Sequence, residues 1–231
     1  TPMKRVWLLL CSIPLCTYAQ TDRYKLTEKD TIITCGLTSR GTVTGPFSDT
    51  HTADFESLVT SVFKASPFPA EPYSLFKMKA AGDVRIGKHT YDDIDFHTFL
   101  LYNLDSVSQF NYKARSKYGL MAVLAHEAGH HSLHHFMPKL TKNISIQELQ
   151  ADYFSGWLLA KFNVPQTDVT KGMAAVADYG AANYPATKDR IRAVLLGYEL
   201  GNQPRTNGPL ALLESDNIVS AEWLKKWARV I

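Results

Sequence analysis

The chain has 231 residues, 45% of them apolar and 20% charged, with 13 Gly and 11 Pro. That balance suits a globular protein able to bury a core, and it excludes collagen-like, low-complexity and disordered chains. The formal charge is +3, two units of which come from Lys4 and Arg5. The near-neutral remainder carries no basic stripe that would point to nucleic acid or an anionic membrane as a partner.

From Met3 the order is charged, apolar, then small. Lys4 and Arg5 precede an apolar run over residues 6–16, and Thr17-Tyr18-Ala19 offers a small-residue cleavage site before Gln20. This is the pattern of a secretory signal peptide, placed over residues 3–19. The run is shorter than the roughly 20 residues a bilayer-spanning helix needs, and no later stretch is long and apolar enough to be an integral membrane segment. A buried N-terminal helix is the alternative. The expectation is an exported protein, periplasmic or secreted, with a single domain over residues 20–231. Cys11 and Cys16 would leave with the signal. Cys35 alone cannot form an internal disulfide and reads as an inert buried thiol.

Residues 20–50 are rich in Thr, Ser, Gly and Asp, interrupted by a short apolar strand at 31–35. Residues 54–64 have helical spacing (Phe55, Leu58, Val59, Val62) with Thr52 as N-cap. Pro67, Pro69 and Pro72 mark a loop. Strand-like segments follow at 73–80, 83–87 and 96–102. The next long helical pattern runs over 117–137 and stops at Pro138. Further helices are predicted at 145–162, 168–179, 186–200 and 220–230. Strands first and helices afterwards predict an α+β fold, with a small mixed or antiparallel sheet packed on a helix pair.

The chemistry concentrates in His126-Glu127-Ala128-Gly129-His130. On a helix, residues 126 and 130 share a face, about 6 Å apart along the axis. Two imidazoles so placed can converge on one Zn²⁺ at roughly 2.1 Å each, with Glu127 turned toward a bound water rather than the ion. With eight His and eight Glu in the chain, this pattern arises by chance in about one such chain in a hundred. A His-rich solvent face is the plain alternative, and His131, His134 and His135 read as surface residues or as supports behind the ligands. Gly129 costs about 1 kcal/mol inside a helix relative to Ala, so close approach of another element, or plain helix packing, is expected there.

A catalytic zinc takes three protein ligands and keeps one position open. Glu148-Leu149-Gln150-Ala151-Asp152 lies far enough along to return on an antiparallel helix. Glu148 is then the candidate third ligand. Asp152, one turn on, can accept the free ring N–H of a ligand His. Ser145-Ile146-Gln147-Glu148 also matches a capping box, which would give Glu148 a purely structural role. Asn143-Ile144-Ser145 is a glycosylation sequon read here as chance.

His126 to His130 followed by Glu148 to Phe154 resembles the gluzincin zinc metallopeptidases, and is similar to small soluble relatives of the CAAX prenyl protease and HtpX type and to the bacterial neutral zinc metallopeptidases. The resemblance implies a zincin-like fold and one zinc per chain held by His126, His130 and Glu148, with Asp152 orienting a His. Tyr184-Pro185-Ala186-Thr187-Lys188-Asp189-Arg190-Ile191 resembles the family's later His-Pro…Glu-Arg-Ile segment. Tyr184 stands where the family has a His that assists the transition state, and Arg190 matches the family Arg as an anchor. Leu100-Leu101-Tyr102-Asn103 resembles the edge strand that pairs with substrate, which implies substrate-binding roles for Leu100 and Tyr102. The implied activity is hydrolysis of peptide or protein substrates by metal-activated water, with Glu127 as general base. Two other readings remain open at this point: a catalytically weak, zinc-binding chaperone-like module, and a regulatory protease of the ImmA/IrrE type. The signal segment and the 184–191 block disfavour the latter.

Overall fold

A computed structural model describes residues 26, 31–36, 41–44, 47–66, 73–78, 84–90, 96–133, 135, 143–177 and 184–203. In chain order the strands β1 (Thr31–Gly36), β2 (Gly41–Thr44) and β3 (Phe47–Ser48) come first, then helix α1 (Ala53–Lys64). Strands β4 (Tyr73–Met78), β5 (Val84–Thr90) and β6 (Phe96–Tyr102) follow. After them come only helices: α2 (Leu104–Lys113), α3 (Gly119–Ser132), α4 (Ile144–Lys161), α5 (Gln166–Ala177) and α6 (Thr187–Gly201). The segregation of strands and helices makes the fold α+β. The expected signal at 3–19 and the helix expected at 220–230 lie outside the described residues.

The six strands form one sheet in the order β2-β1-β5-β6-β4-β3. The sheet is mixed, and the purely antiparallel alternative is corrected by one pair. β4 and β6 run parallel, from Tyr73 opposite Thr98 to Lys77 opposite Tyr102. The chain passes from β4 across to the far side of β6, forms β5 there, and turns back antiparallel into β6.

β6 is therefore an inner strand with both hydrogen-bonding edges taken, so the edge-strand expectation for Leu100 and Tyr102 fails. The cause lies in the side chains. Leu100 and Tyr102 join the main core beneath the helices, while Phe99 and Leu101 pack with Leu26, Phe76 and Met78 on the other side. A strand apolar without alternation is one covered on both faces, and such a strand belongs inside a sheet.

Thr52 caps α1, its hydroxyl accepting from Phe55 N at 3.4 Å. Asp54 and Glu56 in the first turn and Lys64 in the last suit the helix dipole. α1 lays Phe55, Val59, Val62 and Phe63 into the core.

α2 was not anticipated. Asn103 directly after β6 caps it, with Oδ1 accepting from Asp105 N at 3.0 Å and Ser106 N at 3.1 Å. The chain then reverses through Arg115, at φ 47°, and this turn delays α3 to Gly119. α3 also ends early, at Ser132 rather than near Pro138. Leu133 N donates to Gly129 O at 3.0 Å and His135 N to His130 O at 3.1 Å, which closes the helix end and folds the chain back on itself.

From Ala122 to Ser132 every residue of α3 is buried, as is most of α4. These are interior helices, apolar around most of their circumference. They cross at Gly129, where an added Cβ would stand 2.9 Å from Ala151 Cα and 3.0 Å from its carbonyl oxygen. The helix-breaking Gly is thus explained by backbone-to-backbone approach of α4, which brings residues 148 and 152 against α3. A second close crossing joins α4 to α6. A Cβ on Gly156 would overlap the Val194 carbonyl oxygen, and one on Gly197 the Tyr153 carbonyl oxygen. It is this crossing that carries Arg190 into the interior. Among the described residues no helix is long and apolar enough to cross a membrane.

Candidate metal centre

His126 and His130 project from the same face of α3, as their spacing dictates. Asn143, not Ser145, caps α4, its Oδ1 accepting from Ile146 N at 3.2 Å. Glu148 therefore sits in the second turn, inside the helix rather than at its start, and the capping-box alternative is corrected. Its carboxylate enters the space between the two imidazoles. His126 Nε2 lies 3.0 Å from His130 Nε2, 3.2 Å from Glu148 Oε2, and His130 Nε2 lies 3.4 Å from Glu148 Oε1. All three side chains are fully buried, and one ligand atom from each lies within 4.8 Å of the others.

These distances test the fit to a metal ion. Tetrahedral ligands about 2.05 Å from a zinc ion stand about 3.3 Å apart. The three measured separations bracket that value. Neither Glu148 oxygen forms a well-aligned hydrogen bond, although both are fully enclosed and near imidazole nitrogens. Lone pairs aimed at a common point give this arrangement, and a cation satisfies all of them together. The buried His126, His130 and Glu148 group can hold a metal ion.

Behind the group stands a charged frame. His126 Nδ1 lies 2.8 Å from Asp152 Oδ1, which holds Nε2 toward His130 and Glu148. Arg190 Nε donates to Asp152 Oδ2 at 2.8 Å and Nη2 donates to Oδ1 at 2.9 Å, a two-pronged pairing. The same Nη2 is 3.3 Å from Glu148 Oε2. Arg190 thus neutralises both carboxylates from α6, and it is itself completely buried.

The titration tendencies follow from this frame. Burial alone would raise the Asp152 pKa, but the Arg190 charge and hydrogen bonds outweigh it and hold the group below its usual value. Glu148 is likewise held low, burial being outweighed by the charge on His130 and by His126. Burial pulls His126 down, but Asp152 and Glu148 reverse this and push it up to about 9. A cation entering at neutral pH therefore displaces a proton from that ring. Burial lowers His130, and lowers His135 further.

Glu127, the expected base, follows His126 in α3 and is fully buried. Tyr184 is half-buried three residues before α6, in the neighbourhood of Arg190. Leu100 and Tyr102 lie apart from the metal group in their surroundings. Leu100 is core, and Tyr102 reaches a cavity of about 430 Å³ shared with Thr52, Asp54 and Lys77, where its hydroxyl lies 3.4 Å from His51 Nδ1.

Two supports have roles the sequence does not specify. His135 returns from the end of α3 to bring its Nδ1 within 2.8 Å of His130 Nδ1, and Gln150 Oε1 lies 3.0 Å from His135 Nε2. The paired His134-His135 just after the helix was the available signal, but spacing cannot show that the chain folds back. His131 is also buried, against the rings of Phe63 and Tyr73, which makes it a core residue.

Comparison with protein-family models, with curated proteins and with solved structures finds no match to this chain. The functional reading therefore rests on the residues and their geometry.

Proposed function

We propose that this protein is a zinc-dependent endopeptidase of the gluzincin type, zincin-like in fold and exported from the cytoplasm. The observation that carries the reading is the convergence of His126, His130 and Glu148 in one buried cluster, with the fully buried Glu127 beside a ligand. A donor set of two imidazoles and one carboxylate suits zinc, and three ligands leave a position for solvent or substrate. A structural site would have closed that position and would need no carboxylate base.

When bound, zinc supplies a Lewis acid that polarises the scissile carbonyl and eases loss of a proton from water. Glu127 accepts that proton as the water oxygen bonds to the carbonyl carbon. It then passes the proton to the amide nitrogen as the C–N bond breaks. No Ser or Cys nucleophile takes part. Asp152 keeps His126 in the ligating tautomer, and Arg190 keeps Asp152 and Glu148 ionised. A phenol at Tyr184 is suited to donate to the oxygen that gains charge, in the place where the family has a His.

The test is a peptide-library digestion by the purified, zinc-loaded protein. Cleavage of internal peptide bonds is expected, lost with a chelator and restored by added zinc. A protein that binds zinc and cleaves no peptide would favour the chaperone-like alternative.

A further inference from the structure

We propose that His135 and Gln150 are positioning residues that fix the imidazole of His130 in its ligating tautomer, an inference that rests on the metal reading above. The relay begins at Gln150. Its Oε1 lies 3.0 Å from His135 Nε2 and can only accept, so Nε2 of His135 carries the proton and donates. The His135 ring is neutral in that form, and its Nδ1 is then an acceptor. That Nδ1 lies 2.8 Å from His130 Nδ1, so His130 must donate from Nδ1. The tautomer this dictates for His130 leaves a lone pair on Nε2, the atom that faces His126 Nε2 and Glu148 Oε1. With His130 Nε2 kept for a metal ion, this assignment satisfies both short contacts with neutral rings.

The backbone is arranged to hold this relay. His135 N donates to His130 O at 3.1 Å, and Gln147 Nε2 donates to His135 O at 3.3 Å. His135 is 3% exposed. The contacts therefore bind the turn after α3 to the first turns of α4, the helix that also supplies Glu148. The two ligand histidines are oriented by different chemistry. His126 leans on a carboxylate that Arg190 neutralises, and His130 leans on a neutral ring and an amide. A neutral support adds no further negative charge to a buried group that already holds two carboxylates.

Zinc affinity of the full chain, titrated against a competing chelator, tests the relay without any activity readout. His135→Leu and Gln150→Leu are expected to weaken zinc binding by about 10- to 100-fold, while His135→Asn, whose Oδ1 can replace Nδ1 as acceptor, stays within about threefold of wild type. Wild-type affinity in His135→Leu, or an Asn variant as weak as the Leu variant, overturns the relay while the metal reading stands. Failure of the wild-type protein to bind zinc overturns the metal reading and the relay with it, and the control titration shows this first. Ring ¹⁵N spectra of the zinc-loaded wild type keep the test independent of how the variants fold. A proton on Nε2 of His135 and on Nδ1 of His130 is expected, and a proton on Nδ1 of His135 overturns the proposal.

Discussion

Glu127→Gln is expected to keep one zinc ion per chain and to slow peptide hydrolysis by about a hundred- to ten-thousandfold, the range for removal of a positioned acid–base group. Gln has the shape of Glu and lacks its basicity, so folding and metal content should not change. The residue is fully buried, and the isosteric side chain occupies the same space. Turnover of a peptide found in the library digestion, measured beside the metal content of the same sample, makes the comparison. Full turnover in this variant would place the base elsewhere.

Arg190→Met should have the largest effect on stability. Arg190 is fully enclosed, pairs with Asp152 through two hydrogen bonds and reaches Glu148. Met fills much of the volume but leaves two buried carboxylates without their cation. Removing one partner of a buried ion pair costs about 3–5 kcal/mol. Urea unfolding of the metal-free protein at neutral pH should show a loss of that order, partly recovered when zinc binds, because the ion again places positive charge beside Glu148.

The sign of the pH dependence is set by Asp152, whose folded pKa lies below its ordinary value. Its contribution to stability is complete above the unfolded pKa and is lost as the pH falls toward the folded one. The gap between wild type and Arg190→Met should therefore be widest near neutrality and narrow below about pH 4. A gap that widens in acid would contradict the assigned pairing.

What was legible in the sequence is what depends on local spacing. His126 and His130 share a helical face wherever that helix forms, and Glu148 and Asp152 share one on the next helix. The short strand at β1, the Thr52 cap and the bodies of α1 and α3 to α6 likewise follow from period and caps.

What was not legible depends on contacts between distant segments. The run ending in Leu100 and Tyr102 has the same composition at an edge or a centre, and only the path of β5 around β6 decides between them. β2 and β3 are short and lie in a Thr- and Gly-rich stretch, where pairing and not composition defines a strand. Among the described side chains of α2, Val107 and Phe110 are the buried apolar ones, too few to show a helical period. The end of α3 is decided by the return of His135 to His130, which a proline further on had hidden. The capping-box reading failed for a related reason, since Asn143 two residues earlier made the better cap.

The claim that three side chains from two helices hold one ion is tested most directly by zinc titration of the wild type and of Glu148→Ala. One tightly bound ion per wild-type chain is expected, with a loss of more than about a hundredfold in affinity in Glu148→Ala, beyond what a lost outer partner causes. Equal zinc affinity in the two proteins would contradict it.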